Sequence, residues 1–267
     1  MIRLNDTTHE KARCLDMISK SVDNPDYELE CLFSGHTVDK IEYTKFQNII
    51  KRVSGKKEFP TTRESYTLNI AFPNTSKYGN IRVAIKGSGP IKNYCNNENL
   101  LLLGANVEFQ SKVRIEGKNS RLIIANYGLR FNLKREGILD KTHPLIEELI
   151  KEWSSVEKTY RYKKTFSFIN QTNKFSIDLS IVKSSTNNSD NKSTPTLYKN
   201  INESRVFLNV PTYEVEVEYI GNKVAEQVKF KNIADKKVYI DNTFKEYFGI
   251  IGVILQVLQN SFYIMSV

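Results

Sequence analysis

Hydrophobic and polar residues alternate along most of the chain, and a period of two predicts strands. The runs are YELECLF (27–33), SYTLNIAF, NIRVAIKG, NVEFQSKVRIEG, RLIIANYGLRFNLKRE, KTYRYKKTFSF, KFSIDLSIVKS and TYEVEVEYIG. Turn-forming stretches such as FPNTSKYGN, EGKNS and NQTNK separate them. Helical spacing appears at both ends and twice between. Residues 10–22 carry Ala12, Leu15, Ile18 and Val22 along one face, and Val38–Val53 carries Ile41, Phe46, Ile49, Ile50 and Val53. His143–Lys158 places Leu145, Ile146, Leu149, Ile150 and Trp153 on one side, and Asp241–Val267 reads as a helix that docks on a sheet. Ser184–Asn200 is polar and low in complexity, which predicts a mobile surface loop. No repeat of fixed period is present. Many short strands at close spacing predict one mainly β domain across 1–267, an antiparallel barrel or sandwich with added helices.

The charges sharpen that choice. Side chains at i, i+2 and i+4 of a strand share a face. Glu28 and Glu30 therefore share one face of the first strand, and Glu214, Glu216 and Glu218 share one face of the last. Like charges crowded on a strand repel unless a cation lies among them. Carboxylates without paired Cys or His point to Mg²⁺ or Mn²⁺. The opposite faces, Tyr27, Leu29, Cys31 and Tyr213, Val215, Val217, Tyr219, are apolar or aromatic. Basic residues follow the same rule: Arg130 and Lys134 share a face with Asn132 and Glu136, Arg161 with Lys163, Arg82 with Lys86, and Lys112 with Arg114. Asp178 and Ser180 lie together in a run that ends in Lys183. Solvated edge strands would explain any one of these faces. A closed barrel of about eight strands, apolar outside under a coat of helices and polar inside, explains all of them together. Its tunnel would hold a carboxylate-bound metal beside a ring of Arg and Lys, an arrangement suited to polyphosphate.

Composition agrees without adding detail. The 267 residues suffice for one sizeable core, and 40% hydrophobic with 26% charged residues is ordinary for a globular protein. A net charge of +9 fits an anionic partner. The N-terminal stretch lacks the apolar segment of a signal peptide, and Tyr247–Val267, the most apolar stretch, is interrupted by Gln256, Gln259, Asn260 and Ser261. Cys14, Cys31 and Cys95 are too few and too scattered for a disulfide framework or a zinc site. An intracellular protein with no membrane partner is expected.

The same blocks resemble a known family. Glu-x-Glu near the N-terminus and YEVEVEYI near the C-terminus resemble the metal strands of the triphosphate tunnel metalloenzymes. NIRVAI is similar to that family's early strand with a phosphate-binding arginine, here Arg82, and TYRYKKTFSF followed by SIDLSIVKSS is similar to its most recognisable block. The likeness runs from about residue 27 to 220. It is nearest to the RNA 5′-triphosphatase domains of mRNA capping enzymes from large cytoplasmic DNA viruses, including the giant amoebal viruses. The resemblance implies that Glu28, Glu30 and Glu218 are the closest metal ligands, with Glu214 and Glu216 bonding metal-bound or attacking water. It implies that Arg82, Lys112, Arg130, Lys134, Arg161, Lys163 and Lys183 grip phosphate oxygens, that Glu136 orients the nucleophilic water, and that Asp178 buttresses the basic residues through ion pairs. Leu32 and Thr165 stand where related sequences often carry basic residues. The activity implied is hydrolysis of the γ-phosphate of 5′-triphosphate RNA, the first step of cap formation, in the host cytoplasm. It also implies guanylyltransferase and methyltransferase modules, in the same polypeptide or a partner chain, with this chain as the N-terminal part of the longer protein.

Other chemistries lack their residues. A cysteine phosphatase needs Arg six positions after its Cys, but those positions are Lys20, Thr37 and Leu101. Lys-x-Asp-Gly, the lysine-nucleophile motif of guanylyltransferases, is absent, and Lys86-Gly-Ser-Gly-Pro is no phosphate-binding P-loop. His9, His36 and His143 are isolated. Two rivals remain: a tunnel hydrolase of tripolyphosphate or free nucleoside triphosphates, and a non-enzymatic barrel that binds single-stranded RNA through a basic groove and stacked aromatics.

Overall fold

The computed structural model describes residues 8–33, 40–115, 120–185, 196–221, 230 and 232–259. In chain order the strands are β1 (Tyr27–Phe33), β2 (Thr61–Ala71), β3 (Ile81–Lys86), β4 (Val107–Arg114), β5 (Arg121–Ile124), β6 (Leu129–Leu139), β7 (Thr159–Ile169), β8 (Phe175–Ser184) and β9 (Thr212–Tyr219). The helices are α1 (Thr8–Asp23), α2 (Tyr43–Val53), α3 (Ser88–Asn97), α4 (Pro144–Lys151), α5 (Ile201–Ser204) and α6 (Ile233–Gln259).

The sheet runs β1-β9-β8-β7-β2-β3-β4-β6, and β1 pairs with β6 to close it into a barrel. Every ladder is antiparallel. Closure removes exposed edges and forces the strands to tilt. β5 completes the wall: β4 pairs with residues 134–139 of β6, and β5 pairs with 129–132 along the same edge. β4 and β5 thus act as one interrupted strand.

The hydrophobic core lies outside the barrel. One cluster joins Leu29, Cys31, Phe131, Leu133, Ile177, Leu179, Val215 and Val217 of the wall to Met17 and Ile18 of α1, Phe46 and Ile49 of α2, and Tyr247, Ile251 and Ile254 of α6. A second joins Leu68, Ile70, Val83, Ile85, Phe109 and Tyr160 to Ile91 and Tyr94 of α3 and to Ile146, Leu149 and Trp153 in and after α4. Each strand thus buries its apolar face under helices, which leaves its polar face to the interior.

Several sequence expectations change at their ends. The helix expected over 143–158 stops at Lys151. Trp153 leaves the helical path to pack on Phe72 and Tyr94. Lys158, fully buried, donates to the carbonyls of Trp153 and Val156 that this turn exposes. The C-terminal helix begins at Ile233, well before Asp241, because the Asn232 side chain accepts from the Asp235 N–H at 2.9 Å and caps it. Its expected end, 260–267, lies outside the described residues. The helix expected from Val38 starts at Tyr43, with 38 and 39 outside the described residues. RLIIANYGLRFNLKRE is two strands, split by a 3-10 turn at Ala125–Tyr127 that ends on Gly128 at φ 61°. Of the loop expected over 184–200, Ser184 ends β8, Tyr198 bridges to Lys158, and 186–195 lie outside the described residues.

Candidate active site

Ladder register decides which polar residues meet. Glu28, Glu30 and Leu32 of β1 lie opposite Lys134, Asn132 and Arg130 of β6, and Glu30 and Leu32 also lie opposite Glu218 and Glu216 of β9. Across β8, Asp178 and Ser180 lie opposite Glu216 and Glu214. Arg161 and Lys163 of β7 lie opposite Asn69 and Thr67 of β2, which face Ala84 and Lys86 of β3. Lys112 is in register with Glu136. Strand tilt offsets each ladder step, so a level ring is staggered from the ladder partners. A stagger of about two residues per ladder brings Glu30, Glu216, Ser180, Lys163, Arg82 and Lys134 to one central level, in keeping with the ion pairs of Glu30 with Lys134 and of Glu216 with Lys163. Glu28, Glu136, Asp178 and Glu218 share the next level toward one end. Asn132, Arg161 and Glu214 share the next toward the other, and Arg121 and Arg130 lie beyond them. The same stagger groups the carboxylates Glu28, Glu136, Asp178 and Glu218 toward one, acidic end and Arg121 and Arg130 toward the other, basic end.

A cavity of about 620 Å³ lies inside the barrel and reaches from Glu28 through the central level to the basic residues. Its carboxylates are Glu28, Glu30, Glu214 and Glu216, and its cations are Arg82, Arg121, Arg130, Lys134, Arg161 and Lys163. No aromatic side chain lines it among the described residues. Tyr213 and Tyr219 instead pack outside with the helices. That removes the stacking surface that a single-stranded RNA-binding barrel would need inside the tunnel.

Charge pairs hold the side chains in place. Glu30, only 6% exposed, accepts from Lys134 and from the Asn132 amide at 2.9 Å. Arg161 pairs with both oxygens of Glu214. Lys163 lies 3.7 Å from Glu216 and 4.0 Å from Glu214. Burial raises the Glu216 carboxyl above its ordinary value; Lys163 and Arg161 oppose the rise, and Glu30 and Glu214 add to it. Burial also lowers the Arg82 guanidinium, Arg161 pushes the same way, and Glu28, Glu30 and Glu216 oppose. Arg161 and Glu30 thus act on both Arg82 and Glu216.

The expected site residues do not all gather. The cavity brings together Glu28, Glu30, Glu214, Glu216, Arg82, Arg130, Lys134, Arg161 and Lys163. Glu136, Asp178 and Glu218 do not line it. Lys183 does not reach the tunnel: it shares the outer face of β8 with Ile177, Leu179 and Ile181 and donates to the Phe207 carbonyl at 2.6 Å. Asp178 does not buttress the cations. It accepts from Ser176 at 2.6 Å and forms no ion pair among the described residues, because Ser167 and Glu216 are its ladder neighbours. Glu214 and Glu216 hold Arg161 and Lys163 instead. Arg121 was missed; the turn residues Asn126-Tyr127-Gly128, which make β5 a separate strand, were the available signal.

The donor set suits a hard divalent cation. Glu30 faces Glu218 directly across the β1–β9 ladder, with Glu28 and Glu216 beside them. Opposed carboxylates supply the oxygen ligands that Mg²⁺ and Mn²⁺ take. Burial is the main cause of the upward shift of Glu216, and the neighbouring Glu30 and Glu214 add to it. Among the described residues no three such groups converge into a ready-made cage, since Glu30 and Glu216 lean toward Lys134 and Lys163.

No protein-family model matches the sequence, and no curated protein matches it. Solved structures do match. A mimivirus capping enzyme triphosphatase superposes with a TM-score of 0.58 at 17% identity, over 93% of this chain and 98% of that one. The RNA triphosphatase domain of the trifunctional mimivirus mRNA capping enzyme gives 0.57 at 18%, over 91% and 95%. The S. pombe RNA triphosphatase Pct1 gives 0.52 at 11%, over 95% and 96%. The chain has the fold of these triphosphatases.

Proposed function

We propose that this chain is a metal-dependent RNA 5′-triphosphatase that hydrolyses the γ-phosphate of 5′-triphosphate RNA, as the first step of mRNA capping. The observation that carries this reading is the central level of the tunnel, where Glu30 and Glu216 share a ring with Arg82, Lys134 and Lys163. Cations alone would bind an anion, and carboxylates alone would repel it. The two together fit a polyphosphate bound with a divalent ion.

Glu28, Glu30 and Glu218 would hold Mg²⁺ or Mn²⁺, with Glu216 beside them. A divalent ion held there would supply Lewis-acid polarisation of a phosphoryl oxygen and neutralise its charge. The chain's own cations do the positioning. Arg82 faces the γ-phosphoryl group from the opposite wall, and Lys163 and Lys134 exchange their carboxylate partners for phosphate oxygens. Arg161, held by Glu214, braces the next phosphate toward the basic end. Donors fixed before the reaction stabilise charge on the transferring group without reorganising, which is the main source of catalysis in phosphoryl transfer. Glu136, at the acidic end, orients the water that attacks opposite the leaving diphosphate. Guanylyltransferase and methyltransferase activities, in the same polypeptide or a partner, would complete the cap.

The test is phosphate release from γ-labelled triphosphate RNA with Mg²⁺, with Mn²⁺ and with EDTA, for the wild type and for Glu28→Ala and Glu216→Ala. Metal-dependent release that both substitutions abolish in folded protein supports the reading. Turnover of tripolyphosphate but not RNA would transfer it to an inorganic polyphosphate hydrolase.

A further inference from the structure

Two arginines at the basic mouth have no work in the γ-phosphate chemistry. Arg121 of β5 and Arg130 of β6 both line the cavity, and the ladder places Arg121 opposite Asn132 and Arg130 opposite Ile123, so the two lie diagonally on one face. Their environment differs from that of three of the inner cations. Lys134, Arg161 and Lys163 each have a carboxylate partner. Among the described residues Arg121 and Arg130 have none, and the Arg130 Nε is buried without a hydrogen-bond acceptor. Leaving a charged donor unsatisfied in a part-buried site is costly unless a ligand completes it. β5 is also held in place for this position: Arg13 of α1 donates to the Arg121 carbonyl at 2.6 Å.

Position along the wall tells which part of a ligand they meet. Arg130 lies four residues toward the mouth from Lys134 on the same face of β6, about 13 Å of strand. A triphosphate anchored by its terminal phosphoryl at the Lys134 level does not extend that far. What reaches the mouth is the chain that follows it.

We infer that Arg121 and Arg130 form a clamp for the first internucleotide phosphodiester of the substrate, and that this clamp selects a polynucleotide end over a free nucleoside triphosphate or inorganic tripolyphosphate. The inference rests on the triphosphatase reading and adds to it the direction of entry: RNA enters through the mouth bordered by β5, and the acidic end stays closed to phosphate by repulsion. A guanidinium suits the role because its planar fork grips two phosphate oxygens at once.

The experiment compares three substrates, a short 5′-triphosphate oligoribonucleotide, ATP and inorganic tripolyphosphate, for the wild type, Arg121→Ser, Arg130→Gln and the double variant. Circular dichroism confirms folding; Arg121 is exposed, so its variant tests the clamp even if Arg130→Gln destabilises the wall. The preference for RNA over ATP, as a ratio of kcat/KM values, is expected to fall about tenfold for each single variant, through KM. The slope of log affinity for 5′-diphosphate RNA against log salt is expected to shrink by about one for each arginine lost. Equal losses on all three substrates would place the arginines on the triphosphate itself and overturn the clamp while leaving the triphosphatase reading intact. An unchanged ratio and salt slope would also overturn it. A wild type that hydrolyses none of the three would remove the triphosphatase reading and the clamp with it.

Discussion

Glu30 and Glu218 stand directly opposite one another across the β1–β9 ladder, on the polar face of a closed wall. Like charges in that relation destabilise a sheet. A divalent cation between the strands reverses the effect. Mg²⁺ or Mn²⁺ is therefore expected to raise the melting temperature. At a hundredfold excess over Kd the gain is about 2.7 kcal/mol, a shift of several degrees for a chain of this size. Glu30→Gln and Glu218→Gln should abolish the metal-induced shift in a thermal melt. A shift that survives both substitutions would place the ion elsewhere.

Glu216 is expected to separate stability from activity. Burial raises its carboxyl above the ordinary 4.5, with Glu30 and Glu214 adding to the rise. An acid with a raised folded value holds its proton longer in the folded state. Its contribution is then most favourable at low pH and is lost as pH rises from about 4.5 through the raised folded value. Glu216→Gln should make the metal-free protein as stable as the wild type or more so above that window, and should flatten its pH dependence. Hydrolysis should fall by a hundredfold or more, on the order seen when a single electrostatic stabiliser is removed. Loss of stability together with activity would mark Glu216 as structural.

Lys163 and Lys183 provide an internal contrast. Lys163 faces Glu216 inside the tunnel, whereas Lys183 donates to a carbonyl on the outer side. Lys163→Ala should lower kcat/KM for triphosphate RNA about a hundredfold. Lys183→Ala should leave it within about twofold, as for a surface change away from the site. Steady-state kinetics on both variants decide the matter, and an equal loss from Lys183→Ala would contradict the strand parity described above.

Lys158 gives a pH prediction away from the site. It is fully buried, and burial lowers its ammonium to about 8 from 10.5, with Glu98 opposing. Between those values the unfolded chain binds more protons than the folded one, so this group's contribution to stability rises with pH from about 8 to 10.5. Lys158→Met should remove that rise and destabilise the turn after α4, because the Trp153 and Val156 carbonyls lose their donor. Urea titrations of both proteins at about pH 7.5 and about pH 9.5, one just below the window and one inside it, would show it as a gap that widens with pH.

Much of the site was legible because strand alternation is a geometric rule. Glu28 and Glu30, Glu214 through Glu218, Arg161 and Lys163 could be assigned to shared faces from spacing alone, and apolar partners on the other faces pointed to helices outside the wall. Lys183 shows the limit. Alternation puts it with Ile177 and Leu179, while the family resemblance put it in the tunnel, and alternation was the better guide. Which faces meet depends on register between distant strands, and spacing within one strand carries no register. Hence Asp178 was assigned to the cations, although its ladder neighbours are Ser167 and Glu216. Arg121 was hidden because β5 and β6 read as one hydrophobic run across a three-residue turn. The early stop of α4 was equally hidden, since it depends on Trp153 packing against residues far away in sequence.

A tunnel that works as proposed cleaves the bond between the β- and γ-phosphates of an RNA end. The most direct measurement is a single-turnover reaction on RNA labelled at the α- and, separately, the γ-phosphate, with the products resolved by chromatography. Release of γ-label as inorganic phosphate, with the α-label retained on RNA bearing a 5′-diphosphate, and only when Mg²⁺ or Mn²⁺ is present, is the expected result. Release of pyrophosphate, label loss independent of metal, or full activity in Glu30→Gln would contradict it.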